Sequence, residues 1–277
     1  MSTINQALLC CLGLTMLALE HGQIHLWMTF FSEIRDKGLL QHYDRLLAPE
    51  EHEQQRRFQF EIDRRRYLVT RALVRAVLSR YVAVAPHELA FAANSYGKPE
   101  IANADHSARH IAFNISHTRS LILLAITSDG VIGVDVENCR AREAPLEIAD
   151  QFFEPKELAE LRTLPTAQQQ DRFFEYWTLK ESYIKARGMG LSIPLDWFGF
   201  QFSGERTVRI SMRPELNDRP SRWRFWQFRP GASYLAAVCA ETTEGSQRLF
   251  ARKVVPLLHE ENFDFGTVRT SDVQHQG

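Results

Sequence analysis

The chain has 277 residues, of which 44% are hydrophobic and 24% charged. That is the make-up of an ordinary globular protein with material for one large core or two smaller ones, and it excludes a disordered or fibrous chain. A formal net charge of −1 gives no global attraction to nucleic acid or to an anionic membrane, so neither is expected as a partner.

Leu8 to Leu19 is an apolar run of twelve residues, too short to span a bilayer. Its length suits the core of a signal peptide. However, residues 1–7 carry no Lys or Arg, and Glu20-His21-Gly22 is a poor cleavage site. Residues 1–22 therefore read as an N-terminal extension of a cytoplasmic chain. Cys10, Cys11, Cys139 and Cys239 form no CxxC pair and show no zinc spacing, so reduced thiols are expected.

Gln23 to Phe30 reads as the first strand. Ala48-Pro49-Glu50-Glu51 starts a helix running toward Phe60. Asp63 is placed to cap the next helix, whose apolar positions Leu68, Ala72, Leu73, Val77, Leu78 and Tyr81 recur at helical spacing. Arg56, Arg57, Arg64, Arg65, Arg66, Arg71 and Arg75 crowd this stretch. Most of them read as a solvated face with carboxylates opposite, and some are available to an anionic ligand. Phe91 and Ala92 begin a short strand, and Ser95-Tyr96-Gly97-Lys98-Pro99 is a turn.

Ile111 to Ile115 and Leu121 to Thr127 read as strands, Ser128-Asp129-Gly130 as a hairpin turn, and Val131 to Glu137 as the returning strand. Residues 145–162 read as a helix in two pieces, broken near Phe153-Glu154-Pro155, and a long helix covers about Asp171 to Arg187. Alternating runs follow at Phe198–Phe202, Val208–Met212, Trp223–Phe228 and Tyr234–Cys239, and residues 259–277 read as a loose polar tail. This order predicts an α+β chain with two subdomains, 23–127 and 128–258, joined near Ser128–Gly130.

Two segments carry the chemistry. In Gly133-Val134-Asp135-Val136-Glu137 the period-2 pattern puts Asp135 and Glu137 on one side of one strand. Two like charges there cost energy unless a cation lies between them or one is protonated. In the long helix, Phe174, Trp177, Glu181 and Ile184 share a face, so Glu181 sits among apolar groups and needs a partner. Lys185, four residues on, offers an ordinary helical ion pair worth roughly 0.3–0.5 kcal/mol, and strand-end charges facing water explain Asp135 and Glu137 taken alone. Together the three carboxylates point to a site with oxygen ligands, of the kind magnesium takes when a substrate phosphate completes its shell.

Other elements join this set: Gly97-Lys98-Pro99 (GKP), Phe113-Asn114-Ile115-Ser116-His117 (FNISH), FFEPKEL at Phe152–Leu158, and FFEYWTLKESYIKARGMGL at Phe173–Leu191. With GVDVE at Gly133–Glu137, and over about residues 24–240, the chain resembles the Sfp-type 4′-phosphopantetheinyl transferases. The resemblance implies a fold of two similar α+β halves packed as an intramolecular pseudodimer, with coenzyme A between them as substrate and Mg2+ as cofactor. It implies that Asp135, Glu137 and Glu181 hold the metal. Lys185 would contact the phosphate and assist the leaving group. Glu181 is the candidate base. Ser116 and His117 would meet the nucleotide phosphates, His117 the 3′-phosphate. Arg66 and Lys98 match further coenzyme A contacts, and Glu157 an acidic position near the active site.

The implied reaction is that of a holo-acyl-carrier-protein synthase. It moves the phosphopantetheine arm to a serine of apo carrier proteins or carrier domains of non-ribosomal peptide, polyketide or fatty-acid synthases, and releases adenosine 3′,5′-bisphosphate. A monomer is expected. Apolar positions around Ile148 to Leu164, if exposed, offer a dock for a carrier helix. One departure stands out: where the family pattern has lysines before the Arg56-Arg57-Phe58 segment, this chain has Glu51 and Gln54, leaving Arg56 or Arg57 to compensate. The rival reading is a non-catalytic module that binds coenzyme A or a carrier. An unrelated magnesium phosphohydrolase is disfavoured, because no P-loop is present.

Overall fold

Strand alternation decides the layers of this molecule. The computed structural model describes residues 15–103, 110–141 and 143–271. β1 (Gln23–Phe30) and β5 (Leu121–Thr127) are apolar on both faces. Trp27, Ile122, Leu124 and Ile126 pack to one side, against the helix α3 (Glu61–Leu78). Ile24, Leu26, Met28, Leu121, Leu123 and Ala125 pack to the other, against a second sheet. A strand buried on both faces reads as a continuous apolar run for this reason.

The first sheet has the order β12-β11-β1-β5-β4, with β4 at Ala112–His117, β11 at Arg248–Val255 and β12 at His259–Asn262. The second has the order β6-β10-β9-β13-β8-β7, with β6 at Ile132–Asn138, β7 at Phe198–Ser203, β8 at Thr207–Met212, β9 at Trp223–Gly231, β10 at Tyr234–Glu241 and β13 at Thr267–Ser271. Its outer face packs on α6 (Thr166–Arg187). A small hairpin pairs β2 (Phe91–Ala93) with β3 (Pro99–Ile101). The remaining helices are α1 (Lys37–Asp44), α2 (Pro49–Arg56), α4 (Leu146–Phe152) and α5 (Pro155–Thr163). The layers thus run helix, sheet, sheet, helix, an α+β arrangement of two halves with a third core between the sheets.

Several elements differ from the expectations. Ser128–Gly130 does not close a hairpin: β5 pairs with β1 and β4, whereas β6 pairs with β10. The turn carries the chain from one sheet into the other. Residues 259–271 form β12 and β13 rather than a loose tail. β12 is wholly exposed and polar but gains its order from backbone pairing with β11, which needs no apolar periodicity. β11 itself pairs in parallel with β1, so the C-terminal segment contributes to both sheets. α2 ends at Arg56, short of Phe60, and α3 is capped by Phe60 rather than Asp63; Asp63 instead pairs with Arg66 at 2.9 Å. Of the N-terminal apolar run, Leu17 and Leu19 pack on the first core, and the Leu17 N–H donates to the Arg80 carbonyl at 2.7 Å. Residues 8–14, with Cys10 and Cys11, lie outside the described residues. Cys139 and Cys239 are buried and free. Among the described residues no helix is long and apolar enough to cross a membrane.

Candidate active site

The site begins at Gly133. A Cβ there would lie 2.1 Å from the Ser182 carbonyl oxygen and 2.3 Å from the Ala186 nitrogen, so only glycine lets β6 lie directly on α6. Two residues along β6, Asp135 points to the same side. Lys185 Nζ donates to Asp135 Oδ1 at 2.6 Å and to Ser116 Oγ at 3.0 Å, and the Ser116 hydroxyl reaches Asp135 Oδ1 at 3.0 Å. Strand β6, helix α6 and strand β4 of the other half therefore meet at one carboxylate. Lys185 pairs with Asp135 rather than with Glu181 one turn before it.

Asp135 Oδ2 is buried and has no hydrogen-bond partner among the described residues. Such an atom costs free energy unless something else satisfies it. Glu181 feels the same surroundings: burial raises its carboxyl above the usual range, the like charge of Asp135 raises it further, and Lys185 opposes both. Glu137, half-buried, follows on the same side of β6. The expected trio Asp135, Glu137 and Glu181 is not gathered into a ready cage; among the described residues no three His, Cys, Asp or Glu side chains stand close enough to hold a metal ion. Asp135 takes its counter-charge from Lys185 instead. The donor chemistry suits magnesium all the same. That ion is usually held by one or two carboxylates plus substrate phosphates rather than by an all-protein cage, and Asp135 Oδ2 and the perturbed Glu181 are such donors.

Comparison with known proteins adds an independent observation. Residues 37–129 match the family model "4′-phosphopantetheinyl transferase, N-terminal", and residues 131–239 match the model "4′-phosphopantetheinyl transferase superfamily". The 4′-phosphopantetheinyl transferase Sfp of Bacillus subtilis is 36% identical over 194 residues, which cover 70% of this chain and 82% of Sfp. The chain belongs to the 4′-phosphopantetheinyl transferase superfamily. The transferase HetI of Nostoc sp. is 35% identical over 176 residues, 64% of this chain and 73% of HetI. The Bacillus subtilis transferase ffp is 36% identical over 200 residues, 71% of this chain and 84% of ffp. The boundary between the two transferase models falls within a residue of Gly130, where the chain passes from one sheet to the other.

The remaining transferase-like residues are distributed as follows. His117 ends β4 with an exposed side chain. Partial desolvation lowers its imidazole, the Arg66 guanidinium and Lys185 push the same way, and Asp135 opposes. Arg66 is thus electrostatically coupled to His117 while it pairs with Asp63 at 2.9 Å. Lys98 points inward: its Nζ donates to the carbonyls of Ile132 at 2.9 Å and Ala186 at 3.2 Å, and burial pushes its ammonium down to about 8. Glu51, where the family pattern has lysine, is a buried hub. It accepts from the Ala48 N–H at 2.9 Å and from Arg75 Nε at 2.7 Å, and it also pairs with Arg71. Arg75 is fully buried and serves the carbonyls of Pro86 and Leu89. A lysine in place of Glu51 would leave both arginines without their anion. Gln54 accepts from Arg57 at 3.3 Å, and both Arg56 and Arg57 are exposed.

Glu157 serves the fold. It closes the capping box of α5 and is buried against Lys180 at 2.8 Å, about 100° around α6 from Glu181. Ile148, Phe152 and Leu158 are half-buried against the second core, so each leaves only part of its apolar surface for a carrier helix. Sequence reasoning missed Asp218. Its carboxylate accepts from Tyr183 at 2.8 Å, Arg187 at 2.5 Å and Trp223 at 2.9 Å, tying the end of α6 to the start of β9. It lies in an irregular segment where no periodicity marks it.

Proposed function

We propose that this chain catalyses transfer of the 4′-phosphopantetheine arm of coenzyme A to a serine hydroxyl of an apo carrier protein, the reaction of a holo-acyl-carrier-protein synthase, with magnesium as cofactor. The observation that carries the reading is the Asp135–Lys185 pair at the seam of the two halves, in a member of this superfamily. Asp135 Oδ2 is buried and without a partner among the described residues, and burial beside Asp135 raises the carboxyl of Glu181.

The serine oxygen attacks the β-phosphorus of coenzyme A, and the bond from that phosphorus to the bridging oxygen breaks. Adenosine 3′,5′-bisphosphate leaves with the bond electrons, and the serine proton passes to a base. Such a reaction asks the protein chiefly for positioning and charge stabilisation. Asp135, Glu137 and Glu181 would hold magnesium, which supplies positive charge to the diphosphate. Lys185, half-buried and fixed by Asp135 and Ser116, brings a cation to the leaving phosphate. Glu181 is the candidate base for the serine proton. His117, Arg66 and Ser116 would meet the nucleotide phosphates, His117 the 3′-phosphate.

The test is incubation of the purified full chain with an apo carrier domain, coenzyme A and magnesium, with the carrier weighed by mass spectrometry. A gain of one phosphopantetheine arm, lost with chelator or in Glu181→Gln, is the expected result. Coenzyme A binding without any gain on several carriers would favour the non-catalytic module.

A further inference from the structure

Strand β6 is an edge strand, yet its free edge is buried. Towards β10 its odd-numbered residues make the ladder: Val131 O accepts from the Glu241 N–H at 3.1 Å, and the Cys139 N–H donates to Ser233 O at 2.8 Å. Antiparallel pairing leaves the backbone groups of Ile132, Val134 and Val136 facing the opposite way. On that side stands β4, itself the edge of the other sheet. The two strands form no ladder with each other, and buried amides without partners are costly.

Side chains of the N-terminal half take the place of the missing ladder. Lys98 Nζ donates to Ile132 O at 2.9 Å, Asn114 Oδ1 accepts from the Val134 N–H at 2.9 Å, and Ser116 Oγ accepts from the Val136 N–H at 3.3 Å. The three contacts fall on successive even positions, and Asp135 lies between the last two. Lys98 also donates to Ala186 O at 3.2 Å, and Asn94 Nδ2 donates to Gly188 O at 3.0 Å, so the hairpin β2–β3 also grips the C-terminal end of α6, next to Lys185. A cation at a helix C-terminus is favourable there. Asn114 and Ser116 are both nearly inaccessible to solvent.

We propose that Lys98 and Asn114 are positioning residues: through the free edge of β6, with Ser116, they set where Asp135 stands relative to α6 and Lys185. Lys98 then acts through backbone carbonyls and does not grip a phosphate of coenzyme A. The kinetic consequence rests on the transferase reading; the structural one does not.

The experiment has two parts. Amide hydrogen exchange on the wild-type full chain is the first. Val134 and Val136 should be protected about as well as the laddered Ala237 of β10, within roughly tenfold. Exchange of Val134 at the rate of an exposed amide would overturn the proposal whether or not any transfer is found. The second part is steady-state kinetics of Lys98→Met and Asn114→Leu well below their unfolding temperatures. The expected result is a fall in kcat of about tenfold or more, with KM for coenzyme A within about twofold. A raised KM for coenzyme A with kcat retained in Lys98→Met would mean a phosphate contact and would overturn the assignment of Lys98. Unchanged kcat and KM in folded Asn114→Leu would make Asn114 merely structural and overturn its assignment. If either variant does not fold, the exchange result decides.

Discussion

Gly133 of β6 lies against Ser182 of α6 so closely that a methyl group at Gly133 would stand 2.1 Å from the Ser182 carbonyl oxygen. That contact is backbone on backbone, and no rotamer change relieves it. Gly133→Ala is therefore expected to push β6 off α6 and to destabilise the fold by about 3 kcal/mol or more, at or above the upper range for overpacked cores. Any folded fraction should be inactive, because Asp135 and Lys185 are carried by the two elements forced apart. Urea unfolding and the transfer assay on the same preparation check both points; a stable, active variant would mean that the two elements tolerate separation.

The residues that make this contact were legible in the sequence, and its partners were not. Alternation in β6 put Asp135 and Glu137 on one face, and helical spacing in α6 put Glu181 among apolar neighbours; both depend only on local geometry. The turn signal at Ser128–Gly130 was legible as a turn, but such a signal says that the chain reverses and not which strand it then pairs with. Asn114 was legible as part of FNISH but not in its role, because its partner, the Val134 amide, belongs to the other sheet. β12 was invisible for a similar reason: His259-Glu260-Glu261-Asn262 has no apolar face, and its order comes from β11. Glu157, read through resemblance as an acid near the active site, proved to have a buried lysine as its partner.

Asp135 and Lys185 act on Glu181 with opposite signs, since the first raises its pKa and the second lowers it. Asp135→Asn should bring the Glu181 titration down toward the ordinary carboxylate range, and Lys185→Met should move it further up. Carbon-13 NMR of the side-chain carboxyls reads both shifts, and shifts of the same sign would refute the arrangement. Turnover should fall in each variant, by about 100-fold or more in Asp135→Asn, equivalent to roughly 2.7 kcal/mol of transition-state stabilisation.

Glu157 and Lys180 form an ion pair at 2.8 Å with neither side chain accessible to solvent. Lys180 also donates to the carbonyls of Leu195 and Phe198, and Glu157 accepts from the N–H groups of Phe200 and Glu154. Glu157→Ala strands a buried ammonium and several donors, and should cost roughly 3–5 kcal/mol. The folded fraction should keep its turnover, because the pair is bonded to the backbone of Glu154, Leu195, Phe198 and Phe200, whereas Lys185 and Ser116 hold Asp135. Denaturant unfolding and initial rates at low temperature separate the two effects; a selective loss of turnover at unchanged stability would return Glu157 to the active site.

His25 gives the fold a built-in sensitivity to acid. Its ring is buried in β1, bonded to the Tyr81 hydroxyl at 2.6 Å and to Gln23 Oε1 at 3.1 Å. Burial, with Arg252 nearby, pushes the imidazole down to about 4. Unfolded chains take up a proton near pH 6.5, whereas the folded protein resists until about pH 4. Between those values the unfolded state binds more protons, so stability is fully present above the upper value and falls as the pH drops through the window. The loss from this one residue is at most roughly 3 kcal/mol. In His25→Phe, stability should be flatter between pH 7 and 4 than in the wild type, measured by urea unfolding at each pH. Parallel curves for the two proteins would show that His25 is not the group responsible.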